Sequence, residues 1–171
     1  MVFIAICAVI IAICSWISIP AAVPFTLQTF AVFFVLEFVG AKRGTTAVIL
    51  YILLAAVGAP VLSGFKGGLG AVLGMTGGYI LGFVFIGLIY RLGTSVIGNR
   101  LPVRIVSLIV GLAVCYTFGT AWFMVVYAKQ AGPITVGTAL SMCVIPFIIP
   151  DMIKLALAVT LASRLSRIIH L

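Results

Sequence analysis

The sequence predicts an all-α integral membrane protein with six transmembrane helices, on the basis of its composition and length. Hydrophobic residues make up 65% of the 171 residues, charged residues make up 7%, and the mean hydropathy is +1.45. Soluble domains carry about 25% charged residues. Since a transmembrane helix needs about 20 apolar residues, the chain has room for five or six spans with short loops. We therefore expect a single membrane domain over residues 1–171 and no large soluble domain.

Breaks in the apolar pattern place the spans at about residues 1–19, 25–40, 45–62, 74–91, 104–127 and 150–169. Pro20 and Pro24 stop the first helix, because proline lacks a backbone N–H and clashes with the preceding turn. A glycine-rich segment at residues 63–70 separates the third span from the fourth, since so many glycines disfavour continuous helix. The predicted loops are short, which is typical of a compact helical bundle.

The last third of the chain allows two interpretations. The apolar run at residues 134–143 is too short to cross a bilayer, which favours an interfacial or re-entrant helix. The last span then begins near Pro150, because proline is well accommodated in the first turn of a helix. In the alternative, one helix begins at Val136 and kinks at Pro146 and Pro150.

The distribution of basic residues predicts the orientation in the membrane. With six spans, one side carries seven basic residues, namely Lys42, Arg43, Arg91, Arg100, Arg104, Arg164 and Arg167. The other side carries Lys66 and Lys129. Cytoplasmic loops are enriched in Lys and Arg, so both termini are predicted to be cytoplasmic. The net charge of +8 thus reflects topology in a cell membrane and does not indicate nucleic-acid binding.

Asp151 and Lys154 form the strongest candidate site. The chain has only two acidic residues, and Asp151 lies beside a lysine in an otherwise apolar run. A charge inside a membrane costs roughly 2.5–3.5 kcal/mol on insertion scales, so its presence indicates a functional site by default. The i, i+3 spacing places both side chains on one helix face. The pair either clamps a small polar ligand or is an ion pair that only holds helices together.

The second acidic residue, Glu37, lies near the end of the second predicted span. Its carboxylate is expected to reach the membrane interface and to form a salt bridge with Lys42 or Arg43. A direct functional role is the alternative.

No sequence pattern indicates an enzyme. The nucleotide-binding pattern GxxxxGK[ST] is absent, and no His, Cys and carboxylate cluster has metal-ligand spacing. The two carboxylates lie on opposite membrane sides in the predicted topology, which argues against paired acid–base catalysis. We expect neither catalysis nor a cofactor nor a metal site.

Several residues near the outward face are further candidates for ligand contact. Gly67 and Gly68 lie in a loop, where missing side chains let a ligand or a lid approach the backbone. Thr26 and Gln28 carry polar groups that hydrogen-bond either the loop backbone or a ligand. These two alternatives have equal weight on sequence alone.

Aromatic residues flank the glycine-rich segment on both sides. Phe65 and Tyr79 are expected to act as anchors at the membrane interface, where aromatic side chains are enriched. Stacking on a flat ligand is the alternative for both residues.

Two sets of small residues have the spacing that permits close helix packing. The first is expected to form one smooth helix face and consists of Gly70, Gly74, Gly78 and Gly82. The second lies in the first span and consists of Ala5, Ala8 and Ala12. The alanines either pack within the chain or dock on another membrane subunit.

Taken together, these motifs resemble the BioY family, the biotin-specific substrate-binding subunits of energy-coupling-factor transporters. Residues 17–20 and 23–28 are similar to the family's first-loop signature, and residues 40–44 with Tyr51 to its second turn and third span. The glycine-rich residues 64–70 and 74–79 resemble its central motif, with Met75 where proline is more usual. The run Pro-Phe-Ile-Ile-Pro-Asp-Met-Ile-Lys at residues 146–154 resembles its last-helix motif, with Pro150 where glycine is more usual.

The resemblance implies a six-helix substrate-binding subunit, or S component, that captures biotin outside the cell. It also implies a transmembrane coupling subunit and two cytoplasmic ATPases as partners, with Ala8 and Ala12 matching an alanine motif that contacts the coupling subunit. Asp151 would accept a hydrogen bond from a ureido N–H, and Lys154 would donate either to the ureido carbonyl or to the carboxylate. Outward loops would act as lids over a ligand pocket formed with Phe25, Phe65, Tyr79, Gln28 and Thr76.

Two other functions stay open on the sequence. The same fold serves subunits for other vitamins such as thiamin and riboflavin, and hydropathy does not separate them. A membrane scaffold protein without a ligand is the second alternative, in which the glycine face and the charged pair only hold helices together.

Overall fold

Six helices of twelve or more residues form the body of the protein in a computed structural model that describes residues 1–20 and 23–168. They are α1 (Val2–Trp16), α2 (Gln28–Val39), α3 (Ala41–Ala56), α5 (Gly77–Val96), α6 (Leu101–Ala131) and α8 (Ile145–Ile168). Two shorter helices, α4 (Leu69–Val72) and α7 (Val136–Cys143), lie between them.

Three helical stretches of the described chain are long and apolar enough to cross a bilayer: Gly77–Val96, Leu101–Ala131 and Val136–Ser166. Helices α1 and α2 are apolar but shorter. The all-α membrane fold is thus confirmed, whereas the count of six spans stays a prediction.

The last helical stretch begins at Val136, as in the alternative interpretation. Its interruption lies at Val144, between α7 and α8, and not at a proline, and α8 runs from Ile145 through Pro150. Pro146 occupies the first turn, where its missing N–H breaks no helical bond. Pro150 lies inside α8, so the expected helix start at that residue is wrong. The predicted end near residue 169 lies outside the described residues.

A small hairpin replaces helix after α1. Strands β1 (Ser18–Ile19) and β2 (Phe25–Thr26) are antiparallel, with Ser18 opposite Thr26 and Ile19 opposite Phe25. Helix α2 therefore begins at Gln28, whereas the second predicted span begins at residue 25. The hairpin places Thr26 next to the start of α2, and both are part of the site described below.

The row of four glycines does not form one helix face, contrary to the sequence prediction. Helix α4 ends at Val72 and α5 begins at Gly77, so the row is broken between them. Gly78 and Gly82 lie against α6, where an added Cβ would overlap Trp122 and Cys115. These two glycines allow close contact between α5 and α6. The other two, Gly70 and Gly74, line the cavity.

Glu37 forms its ion pair with Arg104 of α6 and not with Lys42 or Arg43. Its side chain is fully buried, so the carboxylate does not reach the protein surface as the sequence prediction requires. The pair joins the C-terminal end of α2 to the start of α6, two segments far apart in sequence. Glu37 Oε1 and Arg104 Nε have no hydrogen-bond partner within the described residues.

Candidate ligand-binding site

A cavity of about 530 Å³ opens at the end of the bundle where the hairpin and the loop around residue 63 lie. Its walls come from α2, α5, α6 and α8 together with the hairpin, the loop, α4 and the end of α7. Pockets for small molecules are typically about 300–1,000 Å³ and mostly apolar, with a few placed polar groups. The cavity has this size and this character.

Asp151 is the buried acceptor of the cavity wall, with 2% of its surface exposed. Its Oδ1 accepts hydrogen bonds from the Thr29 hydroxyl at 2.9 Å and from Lys154 Nζ at 2.8 Å. The Tyr116 hydroxyl donates to Oδ2 at 2.5 Å. A carboxylate offers about four lone-pair positions, so one position on Oδ2 is left for a donor from a ligand.

Lys154 is also buried, and its ammonium group makes as many hydrogen bonds as it has donors. Besides Asp151, it donates to the Thr26 carbonyl oxygen at 2.8 Å and to Thr29 Oγ1 at 3.1 Å. It lies 4.2 Å from the centre of the Phe25 ring, a cation–π contact. An ammonium carries three donors. Lys154 therefore holds the site together and has no N–H to spare for a ligand.

Both sequence interpretations of the charged pair are thus compatible with one geometry. The ion pair joins α2 to α8 through Thr29, and Asp151 still presents an acceptor to the cavity.

Gln28 and Thr26 both line the cavity. Thr26 Oγ1 accepts from the Gln28 backbone N–H at 3.2 Å, which orders the start of α2. The Gln28 side-chain amide donates to the Tyr51 hydroxyl, which in turn donates to the Val61 carbonyl at 3.1 Å. Since an amide has two N–H donors, Gln28 keeps one donor for another partner.

Thr76 and Tyr79 line the cavity near the start of α5. The Tyr79 hydroxyl is paired with Thr120 Oγ1 of α6 at 2.9 Å, and its ring lies against Gly119. The polar end of Tyr79 is therefore engaged between helices, and its ring is part of the wall. It does not lie at the membrane interface as a surface anchor, since it is buried.

Four predicted contact residues are not part of the cavity wall: Phe25, Phe65, Gly67 and Gly68. Phe25 lies behind Lys154 and stacks on Phe147, with ring centres 5.9 Å apart. Phe65 is 64% exposed and stacks on Trp16, with ring centres 5.0 Å apart. Their aromatic contacts are made with the protein and not with the cavity.

Glycine is required at both loop positions by the local structure of the chain. A Cβ at Gly67 would overlap the Ala59 carbonyl, so a side chain is excluded by the neighbouring loop. Gly68 has φ of 91°, a conformation that favours glycine, and caps the start of α4. Neither glycine is needed to let a ligand approach the backbone.

The three alanines of α1 differ in their exposure. Ala8 and Ala12 belong to the hydrophobic core of the chain itself, and only Ala5 is exposed. The structure therefore supports packing within the chain for Ala8 and Ala12, which are not accessible to a partner, whereas docking on another subunit stays a prediction for Ala5. Small side chains at these positions let α1 pack closely within its own bundle.

Sequence reasoning missed Thr29, Tyr116 and Lys66. Thr29 directly follows Gln28 at the start of α2, and it is the residue that contacts both charged side chains. Tyr116 lies midway along the apolar α6, where a tyrosine hydroxyl needs a buried partner. The sequence therefore contains a signal that Tyr116 contacts another buried polar group. Lys66 belongs to the glycine-rich segment and counts toward the topology, but the sequence does not single it out as a contact residue, although it lines the cavity.

The fold and the cavity define an all-α, multi-pass membrane protein with an internal site of ligand size. The BioY family model matches residues 1–170 of the chain, which therefore belongs to the BioY family.

Curated relatives and a solved structure agree with this assignment. The chain is 37% identical over 166 residues to "Biotin transporter BioY" of Thermotoga maritima, covering 93% of this chain and 90% of the relative. It is 39% identical over 143 residues to "Probable biotin transporter BioY" of Pyrococcus horikoshii, covering 84% and 80%. The crystal structure of an "S-component for biotin from an ECF-type ABC transporter" matches with a TM-score of 0.83 and 26% identity, covering 97% of this chain and 89% of that chain. The expectation of a transport component and not an enzyme is confirmed.

Proposed function

We propose that the protein is the biotin-binding subunit of an energy-coupling-factor transporter for vitamin uptake. The observation that carries this proposal is the position of Asp151, a buried carboxylate with one free acceptor position in the wall of a ligand-sized cavity. Membership in the BioY family supports biotin as the ligand.

The chemistry of biotin suits these walls. Its ureido ring carries two N–H donors and a carbonyl, its second ring is an apolar thioether, and its tail ends in a carboxylate. Asp151 Oδ2 accepts one ureido N–H, and the free amide N–H of Gln28 is a donor suited to the carbonyl. Hydrogen bonds to a charged acceptor are roughly twice as strong as neutral ones. Apolar wall residues such as Ile80, Phe83 and Leu112 suit the thioether ring.

The proposed partners are a transmembrane coupling subunit and two cytoplasmic ATPases. The positive-inside rule supports a cytoplasmic location for both termini, with the cavity opening outward. The face of α1 available to another membrane subunit is apolar and carries Ala5, Ile6, Val9 and Ile13. ATP hydrolysis is assigned to the partners, in keeping with the lack of a nucleotide-binding pattern in this sequence.

The test is isothermal titration of detergent-purified protein, stripped of bound ligand, with biotin, thiamin and riboflavin. We expect stoichiometric binding of biotin tighter than about 1 μM, and at least a hundredfold weaker binding of the other two. Tight binding of thiamin or riboflavin would identify a subunit for that vitamin. Folded protein that binds none of the three would favour the scaffold alternative.

A further inference from the structure

Lys66 supplies the cavity with a second cation, and no residue of the described part of the chain neutralises it. The charged residues in the cavity wall are Asp151, Lys154 and Lys66. Asp151 and Lys154 are buried and bonded to each other, whereas Lys66 is exposed. Within residues 1–20 and 23–168, the Lys66 ammonium forms no salt bridge and no side-chain hydrogen bond. The free positive charge of the site is therefore at its exposed rim.

The buried end of the cavity is unsuitable for a carboxylate. All three N–H donors of Lys154 are engaged, so an incoming anion would have to displace Asp151, Thr29 or the Thr26 carbonyl. The Asp151 carboxylate would then lie close to a second carboxylate, and two like charges in a dry site disfavour each other. An uncharged donor group fits beside Asp151, and an anionic group fits away from it.

The backbone holds Lys66 at the rim. The Leu62 N–H donates to the Lys66 carbonyl at 3.0 Å, and a second bond joins Gly68 N–H to the Ala55 carbonyl at 2.7 Å. Between these bonds the chain turns through Gly64 and Phe65, both with positive φ. Only the side chain of Lys66 must become ordered when a ligand binds, which lowers the entropic cost of the contact.

The stack of Phe65 on Trp16 adds to this support. The Trp16 indole N–H donates to the Pro60 carbonyl at 2.9 Å, so Trp16 alone attaches the loop to the end of α1 at two points. A left-handed conformation at a residue other than glycine is uncommon and persists where its surroundings fix it. Phe65 therefore acts on the position of its neighbour Lys66 and not on the ligand.

We propose that Lys66 binds the carboxylate of the ligand at the rim of the cavity and so fixes its orientation, with the uncharged ring facing Asp151. The inference rests on the proposed function, because it assigns the second end of the same ligand. It makes Lys66 the residue that distinguishes a carboxylic acid from its neutral derivatives.

The test compares biotin with biotin carboxamide, in which the tail has no charge. Isothermal titration gives the ratio of the two affinities for the wild type, Lys66→Met, Lys66→Arg and the matched control Lys129→Met. Lys129 is also exposed and lies near the same end of the bundle, but it is not in the cavity wall. A partly exposed charge-assisted contact predicts that the wild type prefers biotin by about five- to tenfold.

We expect Lys66→Met to abolish this preference by weakening biotin alone, Lys66→Arg to retain most of it, and Lys129→Met to leave it unchanged. Raising the salt concentration should weaken biotin and not the carboxamide in the wild type. The inference is overturned if the wild type binds both ligands equally or if Lys66→Met keeps the full preference. If the wild type binds neither ligand, the proposed function itself fails, and the two failures are thus distinguishable.

Discussion

Replacing Asp151 with asparagine changes the hydrogen-bonding character of the site while keeping its shape. The carboxylate faces three donors, from Thr29, Lys154 and Tyr116. An asparagine oxygen in the place of Oδ1 keeps the first two bonds. The amide nitrogen then replaces Oδ2, and Tyr116 must turn its hydroxyl to accept. The position left for a ligand N–H becomes a donor, which opposes binding of a ureido N–H.

The expected effects on affinity and stability are separable. A lost hydrogen bond to a charged group costs about 1.5–3 kcal/mol, so biotin should bind about 10- to 150-fold more weakly to Asp151→Asn. The same change removes the countercharge of Lys154, which is only 6% exposed. Because Lys154 keeps its hydrogen bonds, we expect the free energy of unfolding to fall by about 1–3 kcal/mol without loss of the fold.

The assay combines isothermal titration with thermal unfolding of ligand-free protein. The double variant Asp151→Asn/Lys154→Met is the matched control, because it removes both charges and leaves no unpaired lysine. We expect this variant to be more stable than Asp151→Asn and to bind biotin no better. An affinity of Asp151→Asn within threefold of the wild type would refute the assignment of the free acceptor to the ligand.

Two further predictions concern the helix contacts outside the cavity. Glu37→Ala leaves the mostly buried Arg104 without its countercharge and should lower the free energy of unfolding by about 2–4 kcal/mol. The double variant Glu37→Leu/Arg104→Met should recover most of this lost stability, because it leaves no unpaired charge. Equal stability of the two variants in thermal unfolding would contradict the prediction. Gly78→Ala places a Cβ against Trp122 and should lower the free energy of unfolding by about 1–3 kcal/mol through overpacking. The matched control Gly137→Ala in α7 places its Cβ in open space and should be neutral or stabilising. Equal melting temperatures of the two variants would show that α5 and α6 adjust freely.

The features that sequence predicted well are those encoded by neighbouring residues. Hydropathy over windows of about 20 residues predicts membrane helices, since each span is a local segment. The i, i+3 spacing of Asp151 and Lys154 predicts their shared face, and the structure joins them at 2.8 Å. Proline and glycine residues correctly indicated the breaks after α1 and α3, although the helix ends in the structure differ from the predicted ends by several residues.

The features that it missed depend on contacts between distant segments. Glu37 had two basic residues close in sequence, yet its partner Arg104 lies 67 positions away. The regular glycine spacing suggested one helix face, but the chain breaks at residues 73–76 and gives the two halves different roles. For Phe65 the sequence predicts an interface anchor, with stacking on a ligand as the alternative, whereas the ring stacks on Trp16 from another part of the chain. No local pattern specifies such pairings.

Polar contacts at both ends of α2 explain how a bundle of apolar helices holds one geometry. Between helices in lipid, burial of apolar surface supplies little driving force, so packing and hydrogen bonds decide how helices are placed. Glu37 joins one end of α2 to α6 through Arg104, and Thr29 joins the other end to Asp151 of α8. Tyr116 of α6 also donates to Asp151, so this carboxylate connects α2, α6 and α8. Asp151 is thus held in place before a ligand arrives, and binding does not incur the entropic cost of ordering it.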